Sequence, residues 1–320
     1  MKTRIITALL IILCVVPPLV YGGWLIDLLI AFIIVAGGIE LLNLKEQDAK
    51  WPLGIKTLAI VAVFVLVLSD ERLHVALLGV SALIFLSIPV FTDRFHAKDG
   101  FLCIAYVTFF FAIARCFLHI YGTNRMYVWF IIIATYACDT AAYFCGRFLG
   151  KRKLNVRISP KKTWEGSIGG WLFGALLSFA FAWFMIDTMT PLQMMIASAI
   201  LTVTGQIGDL AFSAIKRNFG IKDFSDLLPG HGGVLDRVDS LVFNFICSFS
   251  PKSAWISPRF SRNSTSSRAI TAAEKCFDIW FIVRSSFFSS MLPPSFFPFM
   301  IKGRNSVPLR PRTQMVSINT

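Results

Sequence analysis

Apolar residues in this chain fall in long, nearly uninterrupted runs rather than at the three- and four-residue spacing of a helix with one polar face. Roughly 17 to 25 mainly apolar residues suffice for a helix to cross a bilayer. The pattern predicts eight such spans, at 5–21, 24–43, 53–69, 73–91, 101–121, 127–145, 168–187 and 191–212. Gly37, Gly38, Gly169, Gly170 and Gly174 lie inside these runs, where small residues let helix backbones come close. Backbone groups in lipid must pair internally, so the expected fold is all-α, a polytopic transmembrane helix bundle. The segment from Asp239 to Phe245 starts like a ninth helix and then stops, so a disrupted ninth span is expected.

Composition agrees: 56% of residues are hydrophobic, 15% are charged and the mean hydropathy is +0.68. A soluble domain sits near half apolar and about a quarter charged. No small-residue cleavage site follows Pro17 and Pro18, so the first span is read as uncleaved. Seven cysteines, mostly inside apolar runs and without a CxxC pair, suggest neither a zinc site nor a disulfide framework. Lys and Arg collect in alternate connections, at Lys2 and Arg4, at Lys45, Lys50 and Lys56, at Arg94 and Lys98, across 147–162 and across 216–237. Cytoplasmic loops retain positive charge, which places the N-terminus and these segments on the cytoplasmic face.

After about Phe245 the character changes. Residues 251–320 hold ten Lys or Arg against Glu274 and Asp278, which is +8 of the formal +13. Ser, Arg, Pro and Phe dominate without helical or strand periodicity, as in low-complexity sequence. The expected division is a membrane domain over 1–245 and an atypical basic tail over 246–320, read as an altered reading frame near position 246.

The densest polar cluster runs from Gly208 to Asp239. Asp209, Ser213 and Lys216 share a helix face by their i, i+4, i+7 spacing, and Asp236 and Asp239 align at i, i+3. Between them, Pro229-Gly230-His231-Gly232-Gly233 is turn-rich, with glycines that permit close backbone approach. Carboxylates on two helix ends, joined by such a loop and by lysines, suit a metal and a polyphosphate, since hard oxygens hold Mg²⁺ while Lys and Arg neutralise phosphate. Ionisable groups at a membrane edge are costly without a purpose. Asp139, inside a span, reads either as a site residue of second rank or as a structural ion pair with Arg115 of the preceding helix.

Ser213-x-x-Lys216-Arg217, Lys222-Asp223 and His231-Gly232-Gly233-x-x-Asp236-Arg237-x-Asp239 together resemble the signature of the phosphatidate cytidylyltransferase (CDP-diacylglycerol synthase) family. The resemblance extends to Asp139-Thr-Ala-Ala-Tyr143-Phe-x-Gly146-Arg147 and to the segment from Ser159 to Ser167, and it covers the body to about residue 245. It implies transfer of CMP from CTP to phosphatidate, with Mg²⁺ required and a second cation left open. It further implies metal coordination by Asp209, Asp223, Asp236 and Asp239, and phosphate binding by Lys216, Arg217, Lys222 and Arg237. His231 enters as a loop-shaping or phosphate-contacting residue, because a phosphate nucleophile is already ionised near neutral pH. Ser159, Lys161, Lys162 and Thr163, with Ser213, Gly232 and Gly233, are the expected substrate contacts, the first four to either CTP or the lipid head group. Expected partners are CTP, phosphatidate, the bilayer and a second copy of the chain as a homodimer, with no nucleic acid; the expected location is a bacterial plasma membrane. Three alternatives stay open: a CTP-dependent polyprenol or phytol kinase, a transporter, and a relative inactivated by its altered C-terminus.

Overall fold

Each of the eight predicted runs is a helix in the computed structural model, which describes residues 2–45, 51 and 53–248. They are α1 (Lys2–Tyr21), α2 (Trp24–Leu42), α3 (Leu53–Leu68), α4 (His74–Phe91), α5 (Ala97–Thr123), α6 (Arg125–Phe148), α7 (Trp164–Met185) and α8 (Pro191–Asn218). A ninth, α9 (Leu235–Ser248), follows and runs three residues into the tail expected over 246–320, whose residues from Phe249 on lie outside the described ones. Among the described residues, six helices are long and apolar enough to cross a membrane, and Ile6–Tyr21 and Gly54–Leu68 are shorter apolar helices.

Several helices outrun their apolar runs because polar residues cap them. His96 and Asp99 form a capping box at the start of α5, and Thr190 and Gln193 form another at α8, where Pro191 occupies the first turn. Asn124 accepts from the Met126 N–H at 2.9 Å and starts α6. Thr163 accepts from the Gly166 N–H at 3.1 Å and starts α7 four residues before its apolar run. The segment between α6 and α7 contains an antiparallel hairpin, β1 (Lys153–Asn155) with β2 (Ser159–Thr163), pairing Lys153 with Thr163 and Asn155 with Ser159.

Two hydrophobic clusters fill the bundle. One gathers Ile34, Val63, Phe85, Tyr106 and Phe110 from α2 to α5; the other gathers Ile131, Ala182 and Leu201 from α6 to α8. α9 joins them, since Leu235 and Val242 pack into the first while Leu241 and Phe245 pack into the second. α6 and α7 lie unusually close: a Cβ on Gly170 would stand 2.8 Å from the Cys138 carbonyl oxygen, and one on Gly174 2.8 Å from the Cys138 Cα. The Asn244 side chain is fully buried, donates to Thr135 Oγ1 at 2.7 Å and accepts from Thr204, so α9 is hydrogen-bonded to α6 and α8 across the apolar interior. Arg115 pairs with Glu71, not with Asp139. The ion-pair reading of Asp139 therefore fails, because the guanidinium finds a carboxylate at the head of α4.

Candidate active site

α8 ends where its sequence turns from apolar to Lys216-Arg217-Asn218. The Ile221 N–H donates to the Lys216 carbonyl at 2.9 Å and the Gly220 N–H to that of Arg217 at 3.1 Å, while Gly220 takes φ +69°, a left-handed cap open to glycine. The chain then loops over 221–234 into α9. Asp236, on the first turn of α9, holds that loop: Oδ1 accepts from Lys216 Nζ at 2.6 Å, and Oδ2 accepts from the N–H groups of Phe224 at 2.8 Å and Gly233 at 2.9 Å. Lys216 is itself buried and lies 5.3 Å over the Phe224 ring. The Leu228 N–H donates to the Gly232 carbonyl at 2.9 Å, closing the turn that carries His231. His231 Nδ1 is buried without a hydrogen-bond partner.

A second carboxylate, which sequence reasoning passed over as part of a span, enters the loop from α2. Glu40 is 3% exposed and accepts from Ser225 Oγ at 2.6 Å and from the N–H groups of Val234 and Leu235, each at 2.8 Å. The two glycines of the motif stand against these carboxylates. A Cβ on Gly233 would meet Glu40 Cδ at 2.7 Å, and one on Gly232, whose φ is +81°, would meet Asp236 Oδ2 at 2.9 Å. The close approach they permit in the structure is to the protein's own acids.

Facing the loop is a group of carboxylates from three helices. Asp139 of α6, Asp209 of α8 and Asp239 of α9 act electrostatically on one another, with Lys162 and Lys216 as the opposing cations. Lys162 Nζ lies 2.5 Å from Asp209 Oδ2, and both side chains keep about a quarter or more of their surface open. Asp209 Oδ1 accepts from Ser213 Oγ at 3.3 Å. Asp239 Oδ1 accepts from the Ser240 N–H at 2.7 Å, and Ser240 Oγ reaches Asp139 Oδ2 at 3.5 Å. The structure thus brings Asp139 into the company of Asp209 and Asp239. Asp236, on the first turn of α9, is taken up by Lys216 and the loop, and Asp223 is exposed.

The basic residues take different stations. The hairpin leans on the end of α8 through Arg217, whose Nε donates to the Ile158 carbonyl at 3.4 Å and whose Nη1 donates to that of Ile221 at 3.1 Å. Lys161, Lys222 and Arg237 are exposed, Ser159 is half-buried, and Thr163 is buried as the cap of α7. The Arg237 carbonyl accepts from the Tyr136 hydroxyl at 3.1 Å. Thr7 of α1 donates to the Pro229 carbonyl at 3.0 Å, so the start of α1 also meets the loop.

Among the described residues no three His, Cys, Asp or Glu side chains already converge as a metal-ligand set. Mg²⁺ in nucleotide sites is held by one or two carboxylates together with substrate phosphates rather than by a protein cage. The donors present fit that mode, being all oxygen and crowded by like charge, with Asp139 and Asp209 part-exposed and Asp239 buried beside them. Asp236, with three hydrogen bonds accepted, retains about one of a carboxylate's four lone-pair sites.

Comparison with known proteins adds three findings. The model of the cytidylyltransferase family matches residues 2–250. The phosphatidate cytidylyltransferase of Staphylococcus epidermidis is 36% identical over 252 residues, which covers 76% of this chain and 95% of that protein. Those of Staphylococcus haemolyticus and Staphylococcus aureus are 32% and 31% identical over 251 and 252 residues, with the same coverage.

Proposed function

Because this chain belongs to the cytidylyltransferase family, we propose that it transfers the CMP unit of CTP to phosphatidate, giving CDP-diacylglycerol and pyrophosphate. It is an integral membrane protein with bacterial relatives. The observation that carries the reading is the meeting of Asp139, Asp209 and Asp239 with Lys162 at the end of the bundle where the hairpin and the glycine loop lie. Hard oxygen donors beside solvent-accessible cations match a nucleoside triphosphate and a lipid phosphate, both polyanions.

In the reaction a phosphatidate oxygen attacks the α-phosphorus of CTP, the bond to the β-phosphate bridging oxygen breaks, and pyrophosphate leaves with that electron pair. No proton has to be removed from the nucleophile, so the protein contributes position and charge. Asp209 and Asp239 would hold a Mg²⁺ ion, which when bound would neutralise part of the triphosphate charge. Lys162, half-exposed on Asp209, is placed to exchange that carboxylate for phosphate oxygens, and Arg217, Lys222 and Arg237 supply further charge around the loop. Lys216, locked on Asp236, acts instead by fixing the loop. On this reading the site lies on the cytoplasmic face, where CTP is found, and the basic connections on the site's side support it. A homodimer is a compatible assembly.

The competing kinase chemistry would release CDP. The test supplies labelled CTP and phosphatidate to membranes carrying the full chain. Lipid-linked CMP and pyrophosphate are expected in equal amounts, stopping when Mg²⁺ is chelated and falling on the order of 10²- to 10³-fold in Asp239→Asn. CDP without pyrophosphate would overturn the reading. Inactivity through the altered tail is not favoured, since the alignment already takes in 95% of the relative.

A further inference from the structure

Glu40 is a carboxylate in the last turn of α2, 3% exposed, on a helix whose other charged residue is Asp27 in the first turn. An acid buried in a membrane bundle costs several kcal/mol unless its oxygens are satisfied. Among the described residues, what satisfies Glu40 is three donors of the glycine loop: Ser225 Oγ at one end, and the Val234 and Leu235 N–H groups at the other. The N–H groups belong to the start of α9, where a helix leaves donors unpaired and its dipole favours a negative charge. Glu40 therefore does from another helix what a local capping residue ordinarily does. Asp236 accepts from the neighbouring Gly233 N–H, so two carboxylates divide the entry to α9 between them. Gly233 is held between them, with no room for a Cβ beside the Glu40 carboxylate.

We propose that Glu40 is a positioning residue for the nucleotidyl transfer: by fastening both ends of the loop it sets the orientation of α9, and with it Asp236 and Asp239, relative to Asp209. Glu40 touches no reacting group; it acts through the loop. The inference rests on the reading of the site given above, but its geometry can be tested without turnover.

The experiment compares the full chain in detergent micelles with Glu40→Gln, Glu40→Ala, Gly233→Ala and the double variant Glu40→Ala/Gly233→Ala. Hydrogen exchange of the loop and the start of α9, melting of the bundle, and kcat and KM are read for each. Glu40→Gln keeps the volume but presents an amide N–H₂ toward backbone donors. It is expected to leave the melting temperature nearly unchanged, to speed exchange at Val234 and Leu235, and to lower kcat by about a hundredfold with KM for CTP little altered, as for a reacting group misplaced by about 1 Å. Gly233→Ala is expected to be damaging in the parent and nearly harmless once Glu40 is Ala, a non-additivity that marks direct coupling. Unchanged exchange and kcat in Glu40→Gln, additive losses in the double variant, or collapse of the whole bundle in Glu40→Gln would each overturn the proposal, the last by making the role purely structural. Should the parent chain show no transfer, the exchange and melting arms still decide the claim about Glu40 while the functional reading fails separately.

Discussion

Two lysine–aspartate pairs at the site have nearly the same length and differ in kind. Lys216 and Asp236 are 2.6 Å apart with side chains 10% and 3% exposed, whereas Lys162 and Asp209 are 2.5 Å apart at 30% and 26%. Removing one partner of a buried pair strands a charge, at a cost of roughly 3–5 kcal/mol. Lys216→Met is expected near the lower end, about 3 kcal/mol, because the Phe224 and Gly233 N–H groups still hold the carboxylate. Reversible denaturation in micelles measures it, and an unaltered midpoint would mean the pair is solvated. Lys162→Ala should cost less than about 1 kcal/mol in stability, as exposed pairs do, yet lower kcat/KM at least tenfold if the ammonium meets phosphate. The sequence singled out both lysines by motif. It did not tell them apart, since burial depends on what the loop and hairpin place over each, and no spacing rule encodes that.

At the scale of elements, apolar run length was enough to read all eight long helices, because a span's burial in lipid needs no partner to be recognised. Their ends were less legible: α7 and α5 begin four residues before the apolar run, where Thr163 and the His96–Asp99 box supply the capping. The hairpin was missed because Ser159-Pro160-Lys161-Lys162-Thr163 has no alternation of apolar and polar residues, and two short strands are stable only by leaning on other structure. Here Arg217 and the start of α7 provide that. Glu40 was hidden for a related reason, its partners lying far along the chain. α9 depends on hydrogen bonds from its buried face, so Asn244→Leu, which loses Thr135 and Thr204, is expected to destabilise by about 1–2 kcal/mol. Gly174→Leu, which thrusts a side chain at Cys138, should cost roughly 1–3 kcal/mol by overpacking and separate α6 from α7. Crosslinking between the two helices measures the separation.

For the molecule as a whole, the described part of α9, 14 residues, spans about 21 Å, less than the roughly 30 Å of hydrocarbon it would have to cross. Since the body aligns with 95% of its relative's length, replacing 249–320 by a dozen apolar residues is expected to leave activity little changed, and a large gain would show that those residues impair the body. Sidedness is checked by thiol labelling: with Lys161→Cys the hairpin should react with an impermeant reagent only from the cytoplasmic face. The reach of Glu40 has a consequence for how the protein is made. The helix that carries it enters the bilayer long before its hydrogen-bond partners exist, because Leu235 lies 195 residues further on. At about 5–20 residues per second of synthesis, the nascent chain carries that acid without its final donors for roughly 10–40 s. A chain halted before α9 never acquires the Val234 and Leu235 donors, so an unfinished copy keeps a polar defect that a complete one does not.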